Sequence, residues 1–171
     1  QAGWKVCLVE ADLRRPKLGT YLGIEMGVGL TSVLSGQHTL DDALLRWNRG
    51  AFTVLPSGMT PPNPSEMLGS RQMKEVLATL RGAFDVVIID APPVMGLADA
   101  PLLSSIAVGT LFVIAAGETR QHAVRLAVKQ LQFARGRLIG VLLSKFDAER
   151  ATYGYGYGYG CAVYIDVHEV L

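Results

Sequence analysis

Five short runs along the chain are apolar at nearly every position: Lys5–Val9, Phe52–Leu55, Val86–Ile89, Thr110–Ala115 and Ile139–Leu143. A strand with one wet face alternates apolar and polar residues, whereas a strand covered on both faces does not, so these runs predict buried parallel strands. Between them the apolar positions recur at helical spacing. A helix is expected over Ser65–Arg81, led in by Pro64 and stopped by Gly82. Another is expected over Gln121–Arg135, stopped by Gly136, and a weaker one ends at Leu103–Ala107. Strand alternating with helix predicts an α/β domain with a mostly parallel sheet covered on both faces. Ligands of such sheets bind beyond the carboxyl ends of the strands.

The length of 171 residues suits about one domain, and a hydrophobic content of 50% allows a sizeable core. Charged residues make up 18%, and 16 Lys and Arg against 15 Asp and Glu leave a net charge of +1. That balance excludes a wholly disordered chain and a broadly basic nucleic-acid binder, so any functional charge must be local. The uncharged stretch from Ala100 to Gly117 is interrupted by Pro101, Ser104, Ser105 and Thr110, and each apolar piece falls short of the ~18 residues of a membrane span. Cys7 and Cys161 form neither a CxxC pair nor a metal-ligand spacing, which fits a reducing compartment. His38, His122 and His168 are far apart and predict no metal site, and Met59, Met67, Met73 and Met95 are expected as core filler.

Gln1-Ala2-Gly3 directly before a strand reads as the last turn of a helix with its glycine stop, so the fold is expected to begin upstream of residue 1. From Tyr153 to Gly160, Tyr and Gly alternate four times, a low-complexity pattern that cannot fill a core. Two regions follow: a folded domain over 1–150 and a tyrosine-rich tail over 151–171.

Two segments carry chemistry. In Val6-Cys7-Leu8-Val9-Glu10-Ala11-Asp12-Leu13-Arg14-Arg15-Pro16, an extended backbone continued past Val9 would point Glu10, Asp12 and Arg14 to one side, gathering two carboxylates and a guanidinium at a strand end. The plainer alternative has Asp12 capping a helix that starts near Leu13, with Arg14 paired to Glu10. In Phe84-Asp85-Val86-Val87-Ile88-Ile89-Asp90-Ala91-Pro92-Pro93, two prolines end the strand and leave Asp90 at the sheet rim. There it can hold a magnesium-bound water or simply begin a turn. Pro61-Pro62-Asn63-Pro64 makes a stiff approach to a helix with Ser65 and Glu66 near its N-terminus.

The pair VCLVEADLRRP and FDVVIIDAPP resembles the Walker A′ and Walker B motifs of the bacterial protein-tyrosine kinases of capsular and exopolysaccharide synthesis, members of the P-loop ATPase class. The Pro-rich segment LPSGMTPPNPSEMLGS and the tyrosine cluster from Tyr153 are similar to further features of those kinases. The resemblance implies a three-layer P-loop NTPase-like fold and an ATP-dependent tyrosine kinase that uses Mg2+. By position, Glu10 would be the catalytic base and Asp12 a catalytic, phosphate-side and metal-organising carboxylate. Arg14 would contact phosphate or clamp a carboxylate, and Asp90 would be the Walker B partner of nucleotide and metal. Tyr153, Tyr155, Tyr157, Tyr159 and Tyr164 would accept phosphate. The resemblance further implies a homo-oligomeric ring, a membrane adaptor of polysaccharide export, a cytoplasmic place at the inner face of the membrane, and no nucleic acid.

The sequence departs from the family pattern at three points. No G-x-x-x-x-G-K-[ST] string occurs, so the chain is expected to lack the first strand, phosphate loop and first helix of the fold and to be inactive alone. Glu10 stands where the family has Asp, and one extra methylene moves a carboxylate by roughly 1.5 Å. Ser144 stands where related ATPases place an adenine-reading Asn. Two other readings are a partitioning-type P-loop ATPase, and, for the chain as it stands, a non-catalytic phosphoacceptor or assembly module.

Overall fold

Apolar continuity sets the centre of the fold. The computed structural model describes residues 3–25 and 27–146. Strand β1 (Val6–Glu10) lies between β3 (Phe52–Leu55) and β4 (Val86–Asp90), parallel to both. Cys7, Val9, Ala11 and Leu13, on and just beyond β1, are essentially excluded from solvent. Strand β2 (Leu45–Trp47) adds antiparallel to β3 and completes a four-stranded sheet in the order β2-β3-β1-β4. A second, two-stranded parallel sheet pairs β5 (Thr110–Ala115) with β6 (Leu138–Ser144).

The mostly parallel α/β architecture is as expected, but not as one sheet covered on both faces. Leu111 and Val113 on β5 and Ile139, Val141 and Leu143 on β6 are all substantially exposed, as is Ile88 on β4. Alternation of exposure along β5 and β6 shows that one face of this pair is left uncovered among the described residues.

The helix expected over Ser65–Arg81 is two helices, α4 (Pro64–Leu68) and α5 (Arg71–Ala83). Ser70 causes the break: its hydroxyl donates to the Met67 carbonyl (2.7 Å) at the end of α4 and accepts the Met73 N–H (3.1 Å) at the start of α5. Gly82 does not stop α5, which runs one residue further. Met73, Val76, Leu77 and Leu80, at i, i+3, i+4 and i+7, put one face of α5 into the core. Helix α6 is Asp99–Ile106, and α7 is Gln121–Phe133, two residues shorter than expected. Three short helices fill the connection between β1 and β2: α1 (Leu18–Leu22), α2 (Leu30–Leu34) and α3 (Leu40–Ala43).

Met73 is buried and Met67 packs against the core, but Met59 and Met95 are exposed, so the methionines are not uniformly filler. Cys7 is a free, buried thiol whose burial pushes its pKa up to about 11, an inert packing residue. His38 and His122 lie on the surface. Cys161, His168, the phosphoacceptor candidates Tyr153, Tyr155, Tyr157, Tyr159 and Tyr164, and the whole 151–171 region lie outside the described residues. Among the described residues no helix is long and apolar enough to cross a membrane.

Candidate active site at the carboxyl rim of β1 and β4

Parallel pairing of β1 with β4 brings two acids together, because Glu10 and Asp90 are direct register partners at the carboxyl ends of both strands. The ladder continues one step, with the Ala11 N–H donating to the Asp90 carbonyl (2.8 Å). Strand β1 ends at Glu10, so strand alternation does not carry on to Asp12 and Arg14, and each of the three has its own hydrogen-bond partners.

Glu10 is completely buried. Its Oε1 accepts the backbone N–H of Lys17 (2.7 Å) and Leu18 (2.6 Å), and its Oε2 accepts that of Ser57 (3.2 Å). A carboxylate offers about four acceptor positions, and three are occupied here. The geometry therefore fits an anchor that fixes the start of α1 and the turn after β3. That turn is itself pinned: Leu30 and Thr31 donate their N–H groups to the carbonyls of Pro56 (2.7 Å) and Ser57 (2.9 Å). A Cβ at Gly29 would overlap the Gly58 backbone and the Pro56 carbonyl, so only glycine permits this approach.

Asp12 accepts the N–H groups of Arg14 (3.1 Å) and Arg15 (3.0 Å) through Oδ1, an Asx turn. No helix begins at Leu13, so Asp12 is not the cap the plainer reading supposed. Nor does Arg14 pair with Glu10. Its Nε donates to Asp99 Oδ2 (2.6 Å), and its Nη2 reaches Asp99 Oδ1 (3.3 Å) and Ser65 Oγ (3.0 Å). Ser65 also donates a short bond to Asp99 Oδ1. Asp99 is fully buried. Burial pushes its carboxyl up, but the bonds from Arg14 and Ser65 and the Arg14 charge outweigh that and hold it below the usual carboxylate range.

Asp90 carries the clearest electrostatic mark of a shared site. Its side chain reaches solvent, yet desolvation at the rim, then the charges of Glu10 and Asp12, push its carboxyl up. Asp90 therefore lies within the field of the other two acids. Among the described residues no three His, Cys, Asp or Glu side chains converge closely enough to hold a metal ion unaided. Ser144 ends β6 with its hydroxyl donating to the Ile114 carbonyl (3.3 Å).

No family model matches the chain. Tyrosine-protein kinase CpsD of Streptococcus agalactiae is 34% identical over 155 residues, which cover 90% of this chain and 68% of CpsD. The chain belongs to the bacterial tyrosine-protein kinases. Tyrosine-protein kinase YwqD of Bacillus subtilis is 39% identical over 90% of the chain and 65% of its own length, so this family member spans about two thirds of the relatives it matches. The kinase domain of Escherichia coli tyrosine kinase ETK superposes with a TM-score of 0.79 at 28% identity, over 93% of this chain and 62% of that one. Cobyrinic acid a,c-diamide synthase from Mycobacterium smegmatis, in a structure with bound ATP analog and magnesium, superposes with a TM-score of 0.69 at 26% identity, over 87% and 65%. The chain thus has the P-loop NTPase-like architecture that its sequence suggests. Of its features, Asp99 was not legible as a site residue, although a lone acid in an apolar stretch signals a buried partner.

Proposed function

We propose that the whole protein transfers the γ-phosphoryl group of ATP to tyrosines of its own tail and so controls assembly and export of a capsular polysaccharide or exopolysaccharide. The observation that carries this reading is the pairing of Glu10 with Asp90 at the rim, with Asp12 in the same field. The sequence holds no glycine-rich phosphate loop, so the activity is proposed for the protein in which these residues stand together with one.

Asp90 and Asp12 would hold Mg2+ through its waters. When bound, the ion neutralises triphosphate charge, which with positioning supplies most phosphoryl-transfer catalysis. Glu10 keeps the rim in shape through its three backbone partners. Asp12, bonded through Oδ1, offers Oδ2 to the proton of a tyrosine hydroxyl, which with an ordinary pKa of ~10 is protonated at neutral pH. Residues 1–150 act as the nucleotide-binding kinase domain, and 151–171 as its substrate. Glycines between Tyr153, Tyr155, Tyr157 and Tyr159 let the backbone enter a neighbouring site, with Tyr164 close behind. Each phosphate adds about −1.5 to −2 charges, so a phosphorylated tail repels its neighbours and biases a homo-oligomeric ring toward dissociation. The protein works at the inner face of the membrane beside an adaptor.

The test is peptide mass spectrometry of the full-length protein after incubation with Mg–ATP. Phosphate on tail tyrosines, lost in Asp90→Asn, is the expected result. ATP hydrolysis with an unmodified tail would favour a partitioning-type ATPase instead.

A further inference from the structure

Arg14 spends two of its three guanidinium nitrogens inside the protein. Nε and Nη2 are taken by Asp99 and Ser65, while Nη1 has no hydrogen-bond partner among the described residues. The three residues come from three places: Arg14 from the turn after β1, Ser65 from the first turn of α4, and Asp99 from the start of α6. The Arg14 side chain is 37% exposed and that of Asp99 only 1%. The anchor of the pair is thus sunk in the fold while the guanidinium reaches the surface, two residues from Asp12.

We propose that Asp99 and Ser65 are positioning residues that hold Arg14 rigidly, so that its free Nη1 edge binds an oxygen of the polyphosphate whose metal Asp12 and Asp90 organise. A free arginine loses rotamer entropy when it docks on an anion, and a guanidinium already fixed by two partners has lost most of it beforehand. The sequence assigns neither residue to the site, and the phosphate-contact and carboxylate-clamp roles open to Arg14 become one role. The planar fork makes this possible, since one edge can engage a carboxylate while the other stays open to phosphate.

This inference rests on the kinase reading for its biological ligand, so the test separates the two. In the 171-residue chain, the Arg14 Nε resonance is followed by nitrogen-15 NMR while metal-free sodium tripolyphosphate is titrated. Wild type should show an exchange-protected Nε–H that shifts to saturation. Asp99→Asn should lose the protection and bind about tenfold more weakly, since charge-assisted bonds are lost. Ser65→Ala, which leaves the ion pair in place, should weaken binding in the same direction by less. An Arg14 resonance unmoved by tripolyphosphate, or titrations unchanged in both variants, overturns the proposal.

In the full-length protein, Asp99→Asn should raise KM for ATP about tenfold and leave kcat within about twofold, the signature of lost binding common to ground and transition states. That effect should vanish in an Arg14→Ala background. A KM unchanged in folded Asp99→Asn, or an effect that persists without Arg14, reduces Asp99 to a structural role. Tripolyphosphate binding through Arg14 in a protein that makes no phosphotyrosine would sink the kinase reading and leave the inference standing.

Discussion

Glu10 and Asp90 face each other across adjacent parallel strands, one completely buried and the other open to solvent. That asymmetry divides the work: the buried acid holds backbone, and the open one carries the unfavourable charge. Glu10→Ala removes the acceptor of three backbone N–H groups and should cost about 2–4 kcal/mol in urea unfolding. Glu10→Gln keeps the shape and most of the bonds, and tail phosphorylation in the full-length protein should persist. A drop of about 10²-fold or more, typical for a lost general base, would restore the proton-accepting role.

Asp90 has a carboxyl raised above its unfolded value, so it favours the folded state at low pH and that contribution is lost as pH rises through the raised value. Asp90→Asn should therefore raise the thermal midpoint at neutral pH, by no more than about 2 °C because solvent screens the repulsion. The gain should shrink on acidification and disappear once Asp90 is protonated in both states. Differential scanning calorimetry across pH 3–7 reads the trend, about the range in which carboxylates titrate; a gain that grows toward acid would refute it.

For the Arg14–Asp99 pair the two truncations should be unequal. Arg14→Ala strands a buried carboxylate, whereas Asp99→Ala leaves a guanidinium that can turn to water, so the arginine variant should show the lower urea midpoint. Asp99 has a carboxyl held below its usual range, so its contribution is present above the ordinary carboxylate pKa and is lost as pH falls through the lowered value. The difference between wild type and Arg14→Ala should accordingly close in acid.

Gly29→Ala tests the floor under Glu10. The added methyl would meet the Gly58 backbone and the Pro56 carbonyl, neither of which can swing aside as a side chain can. A loss of about 1–3 kcal/mol is expected, with faster hydrogen exchange at the Ser57 amide that Glu10 accepts. A neutral substitution would show that the turn after β3 has freedom to move.

Strands with continuous apolar runs were legible almost residue for residue: β3 and β5 begin and end where the pattern does. Strand β2 was not, because three residues with an arginine in the middle have no period to read, and it is held by pairing with β3, by Trp47 meeting Phe52 at 4.9 Å and by the Trp47 Nε1–H bond to the Leu22 carbonyl. The break between α4 and α5 was legible in principle, since Gly69-Ser70 supplies a stop and a cap, but the apolar spacing runs straight across it. A five-residue helix such as α1, with no side-chain cap, is set by docking, which no local pattern reports, whereas α3 carries a capping box between Thr39 and Asp42. The motifs single out Glu10, Asp12, Arg14 and Asp90 as candidates. Their division of labour was hidden, since burial and long-range partners such as Ser57 and Asp99 decide it.

The uncovered side of β5 and β6 has a practical consequence. Leu111, Val113, Ile139, Val141 and Leu143 present a greasy, strand-borne plane to water, and such planes stick to one another, to fluorescent dyes and to detergent. A purified sample of this chain should turn cloudy as ammonium sulfate is added and clear when a mild surfactant coats the plane.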